Sequence, residues 1–344
     1  MYTDYFKCFC RERNIKQRTV KGYESAINQY TSFHNLSIDE LILEAINDEE
    51  KRIPLKNRKL KYRLMDFRSF LLNSSLSYAT SKIYFTYIKS FYKHFEVEIP
   101  YIPLAKYGKE YETNYFDIPT KDHIAQVLEI VSVDLKAVIL FMSSSGTAKA
   151  ETLSLTVGDF IDACRDYHHG GSITYILDVL GSRKNMVPTF YLKRIKTDKY
   201  YYTFCSPEAT YYIVKYLKTR KNLNKDDKLF DFSDSFLLTR FQQINDNMGW
   251  GFKGKYRFFR THSLRKFHAS NIGLAVEYID SLQGRGKNEI HRRYVKTNPQ
   301  KLKEIYASAM KNVMIYNDFH RERENQEFTI VINVFLSGKE YNLM

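Results

Sequence analysis

Thr261-His262-Ser263-Leu264-Arg265, followed by Leu282-Gln283-Gly284-Arg285 and by His291-Arg292-Arg293-Tyr294, is the stretch from which the rest of the chain is best read. In a helix, positions i and i+3 share a face, so His262 and Arg265 project together. An imidazole beside a guanidinium suits one phosphodiester. The guanidinium neutralises the non-bridging oxygens, and the imidazole donates or accepts a hydrogen bond. Taken singly, His-x-x-Arg is a common coincidence. Tyr294 lies 29 residues after Arg265, among cations. Neighbouring positive charge lowers a phenol's pKa and makes the phenolate available to attack phosphorus. With 28 tyrosines in the chain, position alone does not single this one out.

The charge balance points the same way. The 344 residues hold 53 Lys and Arg against 39 Asp and Glu, a net charge of +14. Such an excess suits a polyanionic partner, nucleic acid first and an acidic membrane surface second. Residues 251–300 alone carry 11 basic and 3 acidic residues, so more than half of the excess sits in one-seventh of the chain. Hydrophobic residues make up 44% of the chain and charged residues 27%, which excludes a disordered or collagen-like polymer. No window approaches the ~18 consecutive apolar residues of a spanning helix, so no membrane role is expected. The N-terminal stretch lacks an apolar core before a cleavage site. The four cysteines are scattered, with Cys8 and Cys10 too close together for a zinc knuckle. These features suit a reducing cytoplasm and no metal site. His168-His169, followed by two glycines, reads as a loop dipeptide.

The length suits about two domains. Residues 1–99 read as four helices. Thr19 is the expected cap of the first, with Val20, Tyr23, Ile27, Tyr30 and Phe33 stepping by three and four. Ser37 and Glu40 have capping-box spacing for a second. Leu60, Leu64, Phe67, Phe70 and Leu71 mark a third. Thr80 is the expected cap of a fourth, whose outer face holds Lys82, Lys89 and Lys93, a set suited to phosphates. Residues 100–118, with Pro100 and Pro103 and just short of Pro119, lack a period and read as a linker. Residues 119–318 form the second domain. Its expected helices are 120–131, the buried run 133–145, one starting near Lys149, one capped by Ser206 with Pro207 in its first turn, and four at 235–247, 262–274, 276–283 and 298–316. The runs 171–180, 187–195 and 199–205 read as strands of a small antiparallel sheet. The tail 319–344 contains an alternating run, 328–335, that reads as a final strand.

The ordered set Gly146-Thr147-Ala148-Lys149-Ala150-Glu151, Lys196-Thr197-Asp198, His262-x-x-Arg265, Gln283-Gly284-Arg285 and Tyr294 resembles the tyrosine recombinase (phage integrase) family over nearly the whole chain. That family's pattern is an Arg in G-x-R-x-x-E, a hairpin Lys, H-x-x-R, L-G-H and a Tyr about nine residues later. Arg285 in place of the histidine and the Lys-Thr hairpin make the chain most similar to archaeal plasmid and virus integrases. The resemblance implies a mainly α fold with a small antiparallel sheet, in which a helical core-binding domain (SAM-like) precedes a catalytic domain. It implies a site-specific recombinase that cleaves and rejoins double-stranded DNA through a 3′-phosphotyrosyl bond at Tyr294, acting as a dimer or tetramer on attachment sites and integrating or excising a mobile element. Arg265 and Arg285 would hold the phosphate, His262 would assist, and Lys196 would be the general acid. Glu151 would support residue 148, with Lys266, Arg292 and Arg293 on the DNA backbone and no cofactor or metal. Ala148 stands where the family has its first arginine, and a methyl group cannot clamp a phosphate. Lys149, next door, points about 100° away around a helix. Impaired cleavage is therefore expected of this chain. The rival readings are an inactive DNA-binding relative and a type IB topoisomerase-like nicking enzyme.

A clamp that touches some 6–10 phosphates should lose roughly 10³–10⁵ in affinity between 50 and 200 mM salt. Mobility-shift titrations across that range test whether the positive charge is the binding surface, and a flat response would contradict it.

Overall fold

The computed structural model describes residues 4–103, 111–285 and 298–316, and divides the chain into two compact units, Met1–Tyr111 and Glu112–Met344. The described residues are mainly helical, with one six-residue antiparallel hairpin and one two-residue hairpin.

The first unit holds α1 (Asp4–Glu12), α2 (Gln17–His34), α3 (Ile38–Glu50), α4 (Lys59–Asn73) and α5 (Tyr78–His94). The apolar stripes of α2 to α5 fill its core. Phe9 of α1, a helix absent from the sequence expectation, seals that core against Phe91 and Tyr23. Tyr30 and Tyr92 are fully buried and join their hydroxyls at 3.1 Å, so neither polar end is stranded. Ser37 and Glu40 form the expected capping box. The other two expected caps are displaced. Ser77, not Thr80, caps α5, with its Oγ accepting from the Thr80 amide at 3.2 Å. Thr19 lies in the first turn of α2, which starts at Gln17 after an extended Lys16 and has no side-chain cap. In both cases the cap lies three residues earlier, because the preceding residues can still enter the first turn.

The second unit continues with α6 (Lys121–Ile130), α7 (Val133–Ser145), α8 (Lys149–Ser154), α9 (Val157–Ala163), α10 (Ile173–Ser182), β1 (Thr189–Arg194) and β2 (Lys199–Phe204). Then come α11 (Pro207–Lys218), α12 (Asp234–Asn247), β3 (Phe252–Lys253), β4 (Tyr256–Arg257), α13 (Thr261–Asn271), α14 (Val276–Leu282) and α15 (Pro299–Ala309). The buried helix α7 is the axis of this unit and packs against both α11 and α13. Residues 171–180, expected as a strand, are helical instead. Ser172 caps α10 through the Tyr175 amide at 3.2 Å, and Ile176, Leu177 and Leu180 make a stripe that is buried as α10 packs on α11. The β-branched content favoured a strand, but the cap and the i, i+1, i+4 burial prevail. β1 and β2 pair from Thr189–Phe204 to Arg194–Lys199, with the turn 195–198 at their tip. Phe190, Leu192 and Tyr201 face the core, while Tyr191, Tyr200 and Tyr202 form a ladder on the outer face. The expected helix 298–316 stops at Ala309 and tightens into a 3₁₀ turn over Met310–Asn312. The strand expected at 328–335 lies outside the described residues.

The chain beyond that turn is held by one buried carboxylate. Glu208 in α11 has no exposed surface. Its Oε1 accepts from the Ile315 amide at 2.9 Å and its Oε2 from the Tyr316 amide at 3.0 Å. Burial pushes its pKa up to about 7, against the lowering effect of those amides. Glu208→Gln would turn an acceptor into an NH₂ facing one of those amides. It should destabilise the protein by about 1–3 kcal/mol, read as a lower urea midpoint with an unchanged slope.

Candidate active site

α7 ends where Gly146 adopts the left-handed conformation (φ 67°), and its chain then turns beneath α13. A Cβ at Gly146 would lie 2.6 Å from His268 Nδ1 and 2.8 Å from Gln283 Nε2, so only glycine fits here. This close approach brings the start of α8 to the His-x-x-Arg helix. Arg265 in α13 is 5% exposed. Its Nη1 donates to the Gly146 carbonyl at 2.9 Å and its Nη2 to the Gln283 carbonyl at 2.7 Å. Gln283 returns the contact, its Nε2 donating to the Arg265 carbonyl at 3.1 Å and to His268 Nδ1 at 3.0 Å. Three segments far apart in sequence thus meet on one guanidinium.

The electrostatics follow from that meeting. Desolvation lowers the Arg265 pKa to about 10. Tyr201 and Glu151 oppose the shift, and the positive charges of Arg194 and Arg285 add to it. Arg265 remains a cation at neutral pH. His262, in the first turn of α13, is pushed down to about 4, first by desolvation and then by Arg260, Lys266, Arg265 and Arg285. Its ring is nonetheless exposed, and the four cations by themselves account for the direction. The fully buried His268 is lowered to about 3 by desolvation, then by Arg265 and Arg285. It is therefore neutral, accepts at Nδ1 and carries its proton on Nε2. The cleft is thus a set of guanidiniums with neutral imidazoles, short of negative charge. Such an arrangement attracts a phosphate, whose arrival would raise the His262 pKa.

Of the residues singled out from sequence, Arg265, Arg285, His262 and Glu151 come together. Arg285 is exposed beyond the Gly284 turn, 3.6 Å from Asp280. Ala148 is half-buried and is the extended N-cap residue of α8. Glu151, one turn along, is 4% exposed, and its Oε2 has no hydrogen-bond partner among the described residues. Lys149 is held away by both oxygens of Asp234, at 2.7 and 2.8 Å. Lys196 stands exposed in the hairpin turn. Lys266 is half-buried beside the cationic Arg260. On α5, Lys82 and Lys93 are exposed, whereas Lys89 lays its Nζ 4.8 Å above the Phe85 ring. Tyr294, Arg292 and Arg293 lie outside the described residues. No group of three or more His, Cys, Asp or Glu side chains able to hold a metal occurs among the described residues. No described helix is long and apolar enough to cross a membrane.

Four residues of this cluster escaped the sequence reading as participants: Arg194, Tyr201, His268 and Gln283. Arg194 had a legible signal. It occupies the inward phase of β1, after Phe190 and Leu192, where a charge must be used or neutralised. His268 had been read only as possible core, six residues beyond His262.

The buried neutral His268 makes stability depend on pH with a definite sign. The unfolded chain takes up a proton below about pH 6.5 and the folded chain does not until about pH 3, so stability is lost as pH falls through that window. The loss is up to ~1.4 kcal/mol per pH unit. Urea unfolding between pH 6.5 and 4 should show His268→Gln declining less steeply than the parent, with His262 unchanged in both.

No protein-family model matches this chain, and no curated protein matches it. Solved structures do. XerH site-specific recombinase bound to difH substrate, in a pre-cleavage complex, is 17% identical with a TM-score of 0.54, covering 87% of this chain and 82% of that one. A lambda integrase tetramer bound to a Holliday junction is 15% identical with a TM-score of 0.53, covering 86% and 78%. The Tn1549 transposon integrase in complex with transposon right end DNA is 13% identical with a TM-score of 0.53, covering 87% and 96%. Buried Arg265, the hairpin before it and the helices around it thus lie within a chain that has the fold of the site-specific recombinases and integrases.

Proposed function

We propose that this chain is a tyrosine-type site-specific DNA recombinase, of the archaeal plasmid and virus kind, that integrates or excises a mobile element in the cytoplasm. The single observation that carries the reading is the guanidinium set around Arg265, with neutral His262 at its edge, in a fold shared with recombinases. Tyr294 attacks a phosphodiester, forms a 3′-phosphotyrosyl bond and releases a 5′-hydroxyl. The 5′-hydroxyl of a partner strand reverses the step, so the bond energy is kept and no nucleotide cofactor is consumed. The pentavalent transition state gains negative charge, which fixed cations stabilise more than they stabilise the ground state. Arg265 and Arg285 hold the non-bridging oxygens. His262, neutral before DNA arrives, exchanges a proton or hydrogen bond with the phosphate or with Tyr294. Lys196 protonates the leaving 5′-oxygen. Lys82, Lys89 and Lys93 of the helical core-binding domain (1–99) and Lys266, Arg292 and Arg293 of the catalytic domain (119–318) contact the DNA backbone, and protomers assemble as dimers or tetramers on paired sites.

A second reading, a DNA-binding protein that does not cut, is favoured by one observation. Ala148 offers no cation, and the buried Glu151 Oε2 one turn away has no partner among the described residues. A buried carboxylate is costly without a donor, and an arginine at 148 would supply one.

Single-turnover cleavage of a nicked suicide duplex decides between these readings. The parent should bind DNA and cleave slowly. Ala148→Arg should raise the cleavage rate by at least ~10²–10³ with a modest gain in affinity. Tyr294→Phe in the Ala148→Arg background should abolish the covalent adduct and leave affinity within a few-fold. Binding without adduct in both parent and Ala148→Arg would establish the second reading.

A further inference from the structure

We infer that Arg194 is a positioning residue for the cleavage step, tying the hairpin that bears Lys196 to the turn that bears Arg285. The inference rests on the recombinase reading and adds to it a residue that the family resemblance did not bring forward.

Three observations meet at one turn. Arg194 Nη1 donates to the Gly284 carbonyl, across 90 residues of sequence. Arg265 Nη2 donates to the preceding carbonyl, that of Gln283, at 2.7 Å. Two consecutive peptide oxygens are therefore each held by a guanidinium, one from β1 and one from α13. Gly284 itself has φ +60°, and a Cβ there would stand 2.6–2.8 Å from the Tyr201 ring of β2. The turn thus lies flush on the hairpin and is clasped from both sides. Arg285 follows at once, its amide donating to the Asp280 carbonyl at 2.8 Å, so its side chain leaves from a backbone with little freedom.

The placement of Arg194 argues against a casual surface contact. Along β1 the inward phase runs Phe190, Leu192, Arg194, the first two 1% and 7% exposed. A cation in that phase must surrender part of its hydration, which a charge-assisted bond to a carbonyl offsets. Its strand then enters the turn 195–198, where the Thr197 and Asp198 amides both donate to the Arg194 carbonyl, at 3.2 and 2.8 Å. Lys196 is therefore held two residues from a side chain that grips the Arg285 turn. One residue sets the spacing between two of the cations assigned to the phosphate and to the leaving oxygen. A misplacement of about 1 Å in such a set can cost on the order of 10²-fold in rate.

The test compares Arg194→Ala and Arg194→Lys, each in the full chain and in its Ala148→Arg form, by single-turnover suicide-duplex cleavage, DNA affinity and thermal unfolding. Arg194→Ala should cleave roughly 10–100-fold more slowly with DNA affinity within about threefold. Arg194→Lys, which keeps one donor and the charge, should recover most of the rate. A merely structural staple would instead lower Tm and affinity together and would leave the rate of bound DNA unchanged. Equal cleavage rates for parent and Arg194→Ala overturn the inference while leaving the recombinase reading intact. Absence of adduct in the Ala148→Arg parent itself overturns the recombinase reading and this inference with it. Should Arg194→Ala fail to fold, Arg194→Met, which keeps the apolar stem without the donors, decides: a bound-state cleavage rate roughly 10–100-fold below the parent supports the inference, and a parental rate overturns it.

Discussion

Arg265 is a cation removed from water, and the second unit is arranged around keeping it there. Desolvating a guanidinium is unfavourable unless each lost hydration contact is replaced, so backbone carbonyls must be aimed at it. Two of them come from Gly146 and Gln283. That demand explains the local sequence. Gly146 must lack a side chain because His268 and Gln283 fill the space. Gln283 must be an amide because it accepts from Arg265 through its backbone and donates back through its side chain. His268 must be neutral because a second buried positive charge beside Arg265 would be prohibitive.

The same constraint shapes the chemistry. Arg265 spends at least two of its five N–H groups on backbone carbonyls of the protein. Around it, Arg194 and Arg285 raise the positive potential, which Glu151 and Asp280 answer with negative charge. A site so arranged favours an anion without reorganising, because its cations are already held in place. His262 belongs to the same balance, because surrounding cations keep it unprotonated until an anion arrives. Ala148, at the start of α8, brings no cation to this set.

Much of this was legible in the linear sequence, for physical reasons that differ from element to element. The stripes of α2, α4 and α5 were readable because burying one helical face imposes a 3.6-residue period, α7 was readable as an unbroken apolar run, and Ser37 and Ser206 marked starts because their hydroxyls satisfy orphan amides. α10 was misread as a strand, since its β-branched residues carry a local preference that a cap and packing on α11 override. α1 and α9 passed unnoticed, although Thr156 and Asp159 of α9 form a capping box that spacing alone would have allowed.

The site divides along the same line. The amino-acid order by itself determined that His262 and Arg265 share a helical face, that a basic segment surrounds them, and that residue 148 lacks a guanidinium, because helical geometry and composition are local properties. Only the tertiary structure decided that Arg265 is buried, that Gly146 and Gln283 are its partners, and that Arg194 and Tyr201 from the hairpin close on Gly284. These contacts join residues 18 to 119 positions apart. No local rule fixes such pairs; they arise when the core around α7 packs and brings the Gly146 and Gln283 carbonyls within reach of the buried Arg265 guanidinium.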